Sequence, residues 1–140
     1  MKSFYDIKSY NKNKVVFIKK GMFYVTYNED AFLTSQLSGY KVILPEYKLG
    51  YPISKMNDIK DKFISSSISV VFVDNNNVKE YSVPDNKYLS VIKVYIKKYI
   101  EYKNIDNFMN NLKLSIYKDI SLMDKINKLL EEDNDRNKEE

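Results

Sequence analysis

Cysteine, histidine and tryptophan are absent from the 140 residues, and the lone arginine is Arg136. Without thiols or imidazoles the chain has no disulfides, no Cys nucleophile, no His general base and none of the usual zinc ligand sets. Most enzyme classes go with them. A single arginine in an acidic tail also rules out bidentate reading of guanine by Arg. No apolar run approaches the roughly eighteen residues that a membrane span needs. The N-terminus, MKSFYDIKSYNKNK, lacks the apolar core of a secretory signal, so a cytoplasmic protein is expected. No G-x-x-x-x-G-K-[ST] stretch occurs, which removes ATP hydrolysis by a P-loop. Of the carboxylate pairs, Glu29-Asp30 are adjacent and share no helix face. Asp58-Asp61 do share one, but it is Lys-rich and solvated. Neither pair sits in the cluster a metal nuclease requires, and the expectation is a protein without catalysis, metal or cofactor.

What the chain has in quantity is lysine, tyrosine, asparagine and isoleucine. Up to Lys103 there are 17 Lys against 10 acidic residues, whereas the remainder carries 6 basic against 9 acidic. A basic body of this kind suits phosphate contact, because neutralising phosphates releases counterions. The joint enrichment of Lys, Asn, Ile and Tyr is equally what the base composition of a genome would produce. Thirteen Tyr could provide stacking platforms or line a core and a helical seam.

The stretch Val15 to Ala31, VVFIKKGMFYVTYNEDA, organises the rest. Two β-prone runs, Val15 to Ile18 and Met22 to Tyr27, flank the turn signal Lys20-Gly21, which predicts a hairpin. Asn28 is expected to cap a helix with Glu29 and Asp30 in its first turn, and Gly39 to end it. Ahead of the hairpin, residues 1–13 fit either a short helix or an irregular arm. After it, Tyr40 to Leu44 reads as a third strand stopped by Pro45, and Leu49 to Ile53 as a short extended segment. Ser54 would cap a helix from Lys55 to Ser65 with Met56, Ile59 and Phe63 on one face. Ile68 to Asp74 is a buried strand, Asn75, Asn76 and Asn77 a turn, and Val78 to Val83 a half-buried partner strand. Strands alternating with helices in this order imply an α/β (α+β) layer built on a mixed sheet.

These residues resemble the N-terminal domain, domain I, of the MutS mismatch-repair family. The hairpin of that domain has Phe, a short variable run, then Gly-Asp-Phe-Tyr-Glu, and then an aromatic followed by Asp-Ala. The counterparts are Phe17, Gly21, Met22, Phe23, Tyr24, Val25, Tyr27, Asp30 and Ala31. Two further blocks follow in order: Gly50, Tyr51, Pro52, Ile53 and Ser54 for Gly-aliphatic-Pro-x-His, then Val70 to Val73 and Val78, Lys79 and Glu80 for the next strand and its return. Together they cover about Lys14 to Val83. The resemblance implies that Phe23 is a wedge that stacks on an unpaired or mispaired base from the minor groove, where a defective pair lowers the unstacking cost. Lys19, Lys20, Lys41 and Lys14, with Lys12 from the arm, are the candidate phosphate contacts beside it. The family's second base-reading group, a Glu, is replaced by Val25, which neither accepts nor donates a side-chain hydrogen bond. Alternatively Phe23, Val25 and Tyr27 share a strand face in a core, and the lysines are merely solvated.

Beyond Pro84 the resemblance ends. Asp85 or Asn86 would cap a helix to about Lys103 with Tyr88, Ile92, Tyr95 and Tyr99 on one face. A break at Asn104 and Asp106 would then let Ile105 to Leu130 return antiparallel as a helical hairpin. The expected organisation is a MutS domain I-like α/β domain over 1–84, a helical extension over 85–132 and a disordered acidic tail over 133–140. Its expected role is binding of mismatched, branched or otherwise distorted DNA, linked to mismatch repair. The other role the chain fits is a protein-interaction module of the same fold, whose C-terminal helices dimerise or dock a partner.

Overall fold

A capping box opens the chain, with Ser3 Oγ accepting from the Asp6 N–H and the Asp6 carboxylate accepting from the Ser3 N–H, each at 3.2 Å. It starts helix α1, Phe4–Ser9, so the segment before the hairpin is a short helix followed by an irregular stretch over 10–13. The computed structural model describes residues 3–139, with side chains to residue 134. The chain divides into two compact units, Met1–Ile100 and Glu101–Glu140.

The first unit is a five-stranded mixed sheet with helices. Strands β1 (Val15–Lys20), β2 (Phe23–Tyr27), β3 (Lys48–Pro52), β4 (Val70–Asp74) and β5 (Asn77–Tyr81) lie in the order β3-β2-β1-β4-β5. Only β1 and β4 run parallel, with Val15 beside Val70 and Ile18 beside Val73. Helices α2 (Asn28–Ser38) and α3 (Met56–Ser65) supply the crossover between them. Val15, Val16, Phe17 and Ile18 are all buried, because β1 is covered on both faces and so carries a continuous apolar run. On the first face Val15, Phe17, Val70 and Phe72 pack with Leu33, Ile59 and Phe63 and with Tyr88 and Ile92 of helix α4 (Tyr88–Lys118). On the second, Val16, Ile18, Val71 and Val73 pack under Phe4.

Several local expectations give way to tertiary context. Asn28 does not cap α2; it adopts φ 57°, a left-handed conformation that Asn tolerates, and donates its backbone N–H to the Tyr47 carbonyl at 2.8 Å. Tyr27 occupies the cap position with no side-chain capping bond, while Gly39, at φ 81°, ends the helix as the sequence implies. Tyr40 to Leu44 is not a strand. The open edge of β2 is taken by β3, from Tyr27 beside Lys48 to Phe23 beside Pro52, leaving only an Ile43–Lys48 bridge to the earlier segment. Ser54 caps nothing, since it lies inside a 3₁₀ turn, Ile53–Lys55, that precedes α3. Strand β5 is an edge strand with one neighbour and is exposed along most of its length rather than half-buried. Asn86 does cap α4, its Oδ1 accepting from the Tyr88 N–H at 3.2 Å and the Ser69 N–H at 3.1 Å.

Asn104 and Asp106 do not break α4. Each costs a helix interior only about 0.5 kcal/mol, too little to interrupt a run of good formers. In the second unit the helical hairpin turns instead at Asp119 and Ile120, where Asp119 Oδ1 accepts from the Ser121 N–H at 3.1 Å and caps helix α5 (Ser121–Glu139). Ile105, Phe108, Met109, Tyr117 and Ile120 are exposed there. The backbone of the acidic tail continues α5 to Glu139; residue 140 and the side chains from 135 lie outside the described residues. Among the described residues no helix is long and apolar enough to cross a membrane.

Candidate nucleic-acid interface

The β1–β2 hairpin ends in a two-residue loop, Gly21 and Met22, closed by the pair Lys20 and Phe23. Gly21 sits at φ 60°, the positive value that the first position of such a loop demands. The tip is braced from the side, because the Ile53 N–H donates to the Met22 carbonyl at 3.1 Å and Pro52 lies opposite Phe23. On this support Met22 and Phe23 project into solvent, and Phe23 is 50% exposed. Its strand-face companion Val25 is 3% exposed, so alternation carries Val25 into the core but leaves Phe23 out of it.

Lysine flanks the tip on both faces of the ribbon. Lys19 continues the face of Val15 and Phe17 and pairs with Asp74 at 3.3 Å. Lys20 continues the face of Val16 and Ile18, shared with Phe23, and its ammonium donates to Tyr27 Oη at 2.8 Å. Because Lys20 stands opposite Phe23 and Tyr27 is two positions beyond Val25, this bond spans the Val25 position. The residue that replaces the family's Glu is thus beneath a Lys-Tyr contact. Beside Lys19, Tyr24 is held above the ordinary phenol value, mainly by burial and secondarily by the Asp74 charge.

The other candidate lysines are elsewhere. Lys14 precedes β1, at the opposite end of a six-residue strand and so about 20 Å from the tip. It is ion-paired with Glu80, whose carboxyl its hydrogen bond holds below the usual value. Lys12 precedes it at the same end, and Lys41 is exposed in the loop before β3, whose start faces Tyr27 rather than Phe23. The tip therefore gathers Phe23, Lys19 and Lys20 and separates them from Lys14 and Lys41. It adds a cation that sequence reading missed, Lys55, which the 3₁₀ turn brings up next to Pro52 and which lies 3.9 Å from Asp58. The Gly50 to Ser54 block was the signal, since pairing with β2 places whatever follows it at the hairpin's mouth.

Asp30, expected merely to favour a helix terminus, is 1% exposed and holds the scaffold together. Its carboxylate accepts from Lys8 Nζ at 2.8 Å, Tyr88 Oη at 2.6 Å and the Val16 N–H at 3.2 Å, joining α1, α4 and β1 to α2. Burial wins over the opposing pull of Lys8, Tyr88 and Val16 and holds this carboxyl above the usual carboxylate range. Three donors on one buried acid explain why an Asp follows the hairpin: it sets how the helix leaves the ribbon that carries Phe23.

Comparison with protein families finds MutS domain I matching residues 1–104, further along α4 than the motif blocks reach. No curated protein matches the chain. With the family match covering most of the sequence, and with the sheet, crossover helices and aromatic hairpin in place, the chain belongs to the MutS domain I family.

Proposed function

We propose that the protein is a non-catalytic DNA-binding module that engages mismatched, branched or otherwise distorted duplex. Phe23 is the wedge, and Lys19 and Lys20 are its phosphate contacts. The observation that carries this reading is a half-exposed aromatic ring on a braced hairpin tip, with lysine on both sides, in a member of this family. An exposed Phe at a rigid tip has little to do in a core, whereas inserting it costs least where stacking is already broken. Lysines supply affinity without sequence preference, as the lack of any other Arg than Arg136 also dictates. A role in mismatch repair follows from the same reading.

Fluorescence anisotropy with a homoduplex and a duplex carrying a mismatch or unpaired base tests it. Affinity for both should fall steeply with salt, with Lys19→Ala and Lys20→Ala together lowering the salt slope by about 2. Phe23→Ala should abolish the preference for the defective duplex and leave homoduplex binding intact. Absence of binding at low salt, or equal loss on both duplexes, would overturn the proposal.

A second reading rests on the second unit. Ile105, Phe108, Met109 and Tyr117 of α4 and Met123, Leu129 and Leu130 of α5 are all exposed, and clustered exposed apolar side chains are the mark of an interaction surface. Self-association or docking through these helices fits that surface. Sedimentation of the full chain against Phe108→Glu and Ile105→Glu variants reads it directly: a concentration-dependent dimer lost in both supports it, and a monomer throughout does not.

A further inference from the structure

A groove of about 860 Å³ lies on the second face of the sheet, the face that carries Phe23 and Lys20. Its floor is apolar, made by Ile18 and Val73 of the central strands and Val78 of the edge. Tyr10 and Asn11, just after α1, form one wall, and Asn75 and Asn76 of the β4–β5 turn form the other. Asn75 adopts φ 51°, which shapes the turn into that wall. Asn11 spends its Nδ2 on the Ile7 carbonyl at 2.8 Å and keeps its oxygen for other donors.

Three features specify an occupant. The size falls within the range of clefts that enclose small organic groups. A flat aromatic ring would lie on the aliphatic floor against the Tyr10 ring, with the Asn11 oxygen and the Asn75 and Asn76 amides as the polar groups that line the groove for a base edge. None of the lining residues is acidic, so a phosphodiester attached to the ring meets no repulsion from them. The position is equally specific. Ile18 pairs with Val25 and stands two residues before Lys20, so from the strand of Phe23 to the Val73 floor is two strand spacings, roughly 10 Å.

We infer that this groove receives an unstacked nucleobase displaced when Phe23 enters the duplex. The inference rests on the DNA-binding reading, and its chemistry is that of extruded-base capture: apolar stacking below, amide hydrogen bonds at the edge. Unpaired bases, not duplex shape, would then be what the protein prefers.

The test compares two duplexes, one with a single unpaired adenine and one with an unpaired abasic residue at the same place. The adenine bulge should bind about tenfold more tightly, the ratio expected from one base's stacking contact. Val78→Trp, at an edge-strand position already 61% exposed, fills the groove and should erase that ratio while the abasic bulge still binds. Far-ultraviolet circular dichroism of the variant reports its folding. Equal binding of the two bulges by the unaltered protein would overturn the inference and leave the wedge reading standing. If neither DNA binds, titration of ¹⁵N-labelled full-length protein with deoxyadenosine decides independently. Shifts confined to Tyr10, Asn11, Asn75, Asn76 and Val78 support the groove, and their absence rejects it.

Discussion

Phe23 is half open to solvent, whereas Asp30, on the helix that the same hairpin launches, is almost wholly enclosed, and substitutions at the two should separate function from stability. Phe23→Ala removes a ring that covers little, so unfolding should change by no more than about 1 kcal/mol. Asp30→Asn has one acceptor oxygen where the carboxylate used two, so it can serve Tyr88 or the Lys8 and Val16 side but not both, and it leaves the partly buried Lys8 ammonium without its counter-charge. Breaking a buried pair in this way costs about 3 kcal/mol, which lowers Tm by roughly 10–20 °C in a domain of this size. Adding Lys8→Met should recover part of that loss, because the uncompensated charge is the larger share of it. A Tm for Asp30→Asn within a degree or two of the unaltered protein would show that the network is dispensable. Val25→Glu is the instructive third case. It installs the acid that the family pattern calls for, yet at a position 3% exposed beneath the Lys20–Tyr27 contact. The expected outcome in thermal unfolding is a loss of about 2 kcal/mol or more.

The hairpin shows at the scale of an element what could be read in advance and what could not. Periodicity and turn chemistry located β1, β2, β4 and α3, because each is a short-range statement about alternation, a breaker or a helical stripe. The resemblance named Phe23, and the structure leaves its ring half exposed at the hairpin tip. Misplacements occurred where the answer depended on a partner distant in sequence. Tyr40 to Leu44 has strand propensity but no free edge to pair with, while Lys14, before β1, and Lys41, in the loop before β3, both lie away from the hairpin tip. Lys55 was invisible until β3 was paired with β2. The same reasoning gives an element-scale expectation for Gly21. An added Cβ there meets nothing within 4 Å, so Gly21→Ala is penalised only by the positive φ, by about 1 kcal/mol. Hydrogen exchange should show the cost as faster opening at Ile18, Lys19 and Tyr24, with Phe63 and Val71 unaffected. Uniform acceleration across the sheet would mean that the tip is not an independent element.

For the molecule as a whole, the missing histidines set the response to pH. With no histidine to titrate, the acid-side dependence on pH rests on the buried Asp30 carboxyl: burial raises it, so its contribution to stability declines as pH rises through its folded value. On the alkaline side the buried and half-buried phenols decide. Tyr24, Tyr51, Tyr88 and Tyr99 are all raised above the ordinary value of 10.0, each mainly by burial, with Asp30 adding to the shift at Tyr88. A raised phenol keeps its proton in the folded state at a pH where the unfolded chain has released it. The folded state then binds more protons than the unfolded one, and stability must fall as pH rises through 10. Two phases are expected when tyrosinate absorbance and circular dichroism are followed together. The later phase, in which the raised phenols of Tyr24, Tyr51 and Tyr88 ionise, coincides with cooperative unfolding. A single gradual titration of every tyrosine with the circular dichroism unchanged would show that these rings reach water in the native state. The core on which the hairpin is braced would then be far looser than a rigid wedge requires.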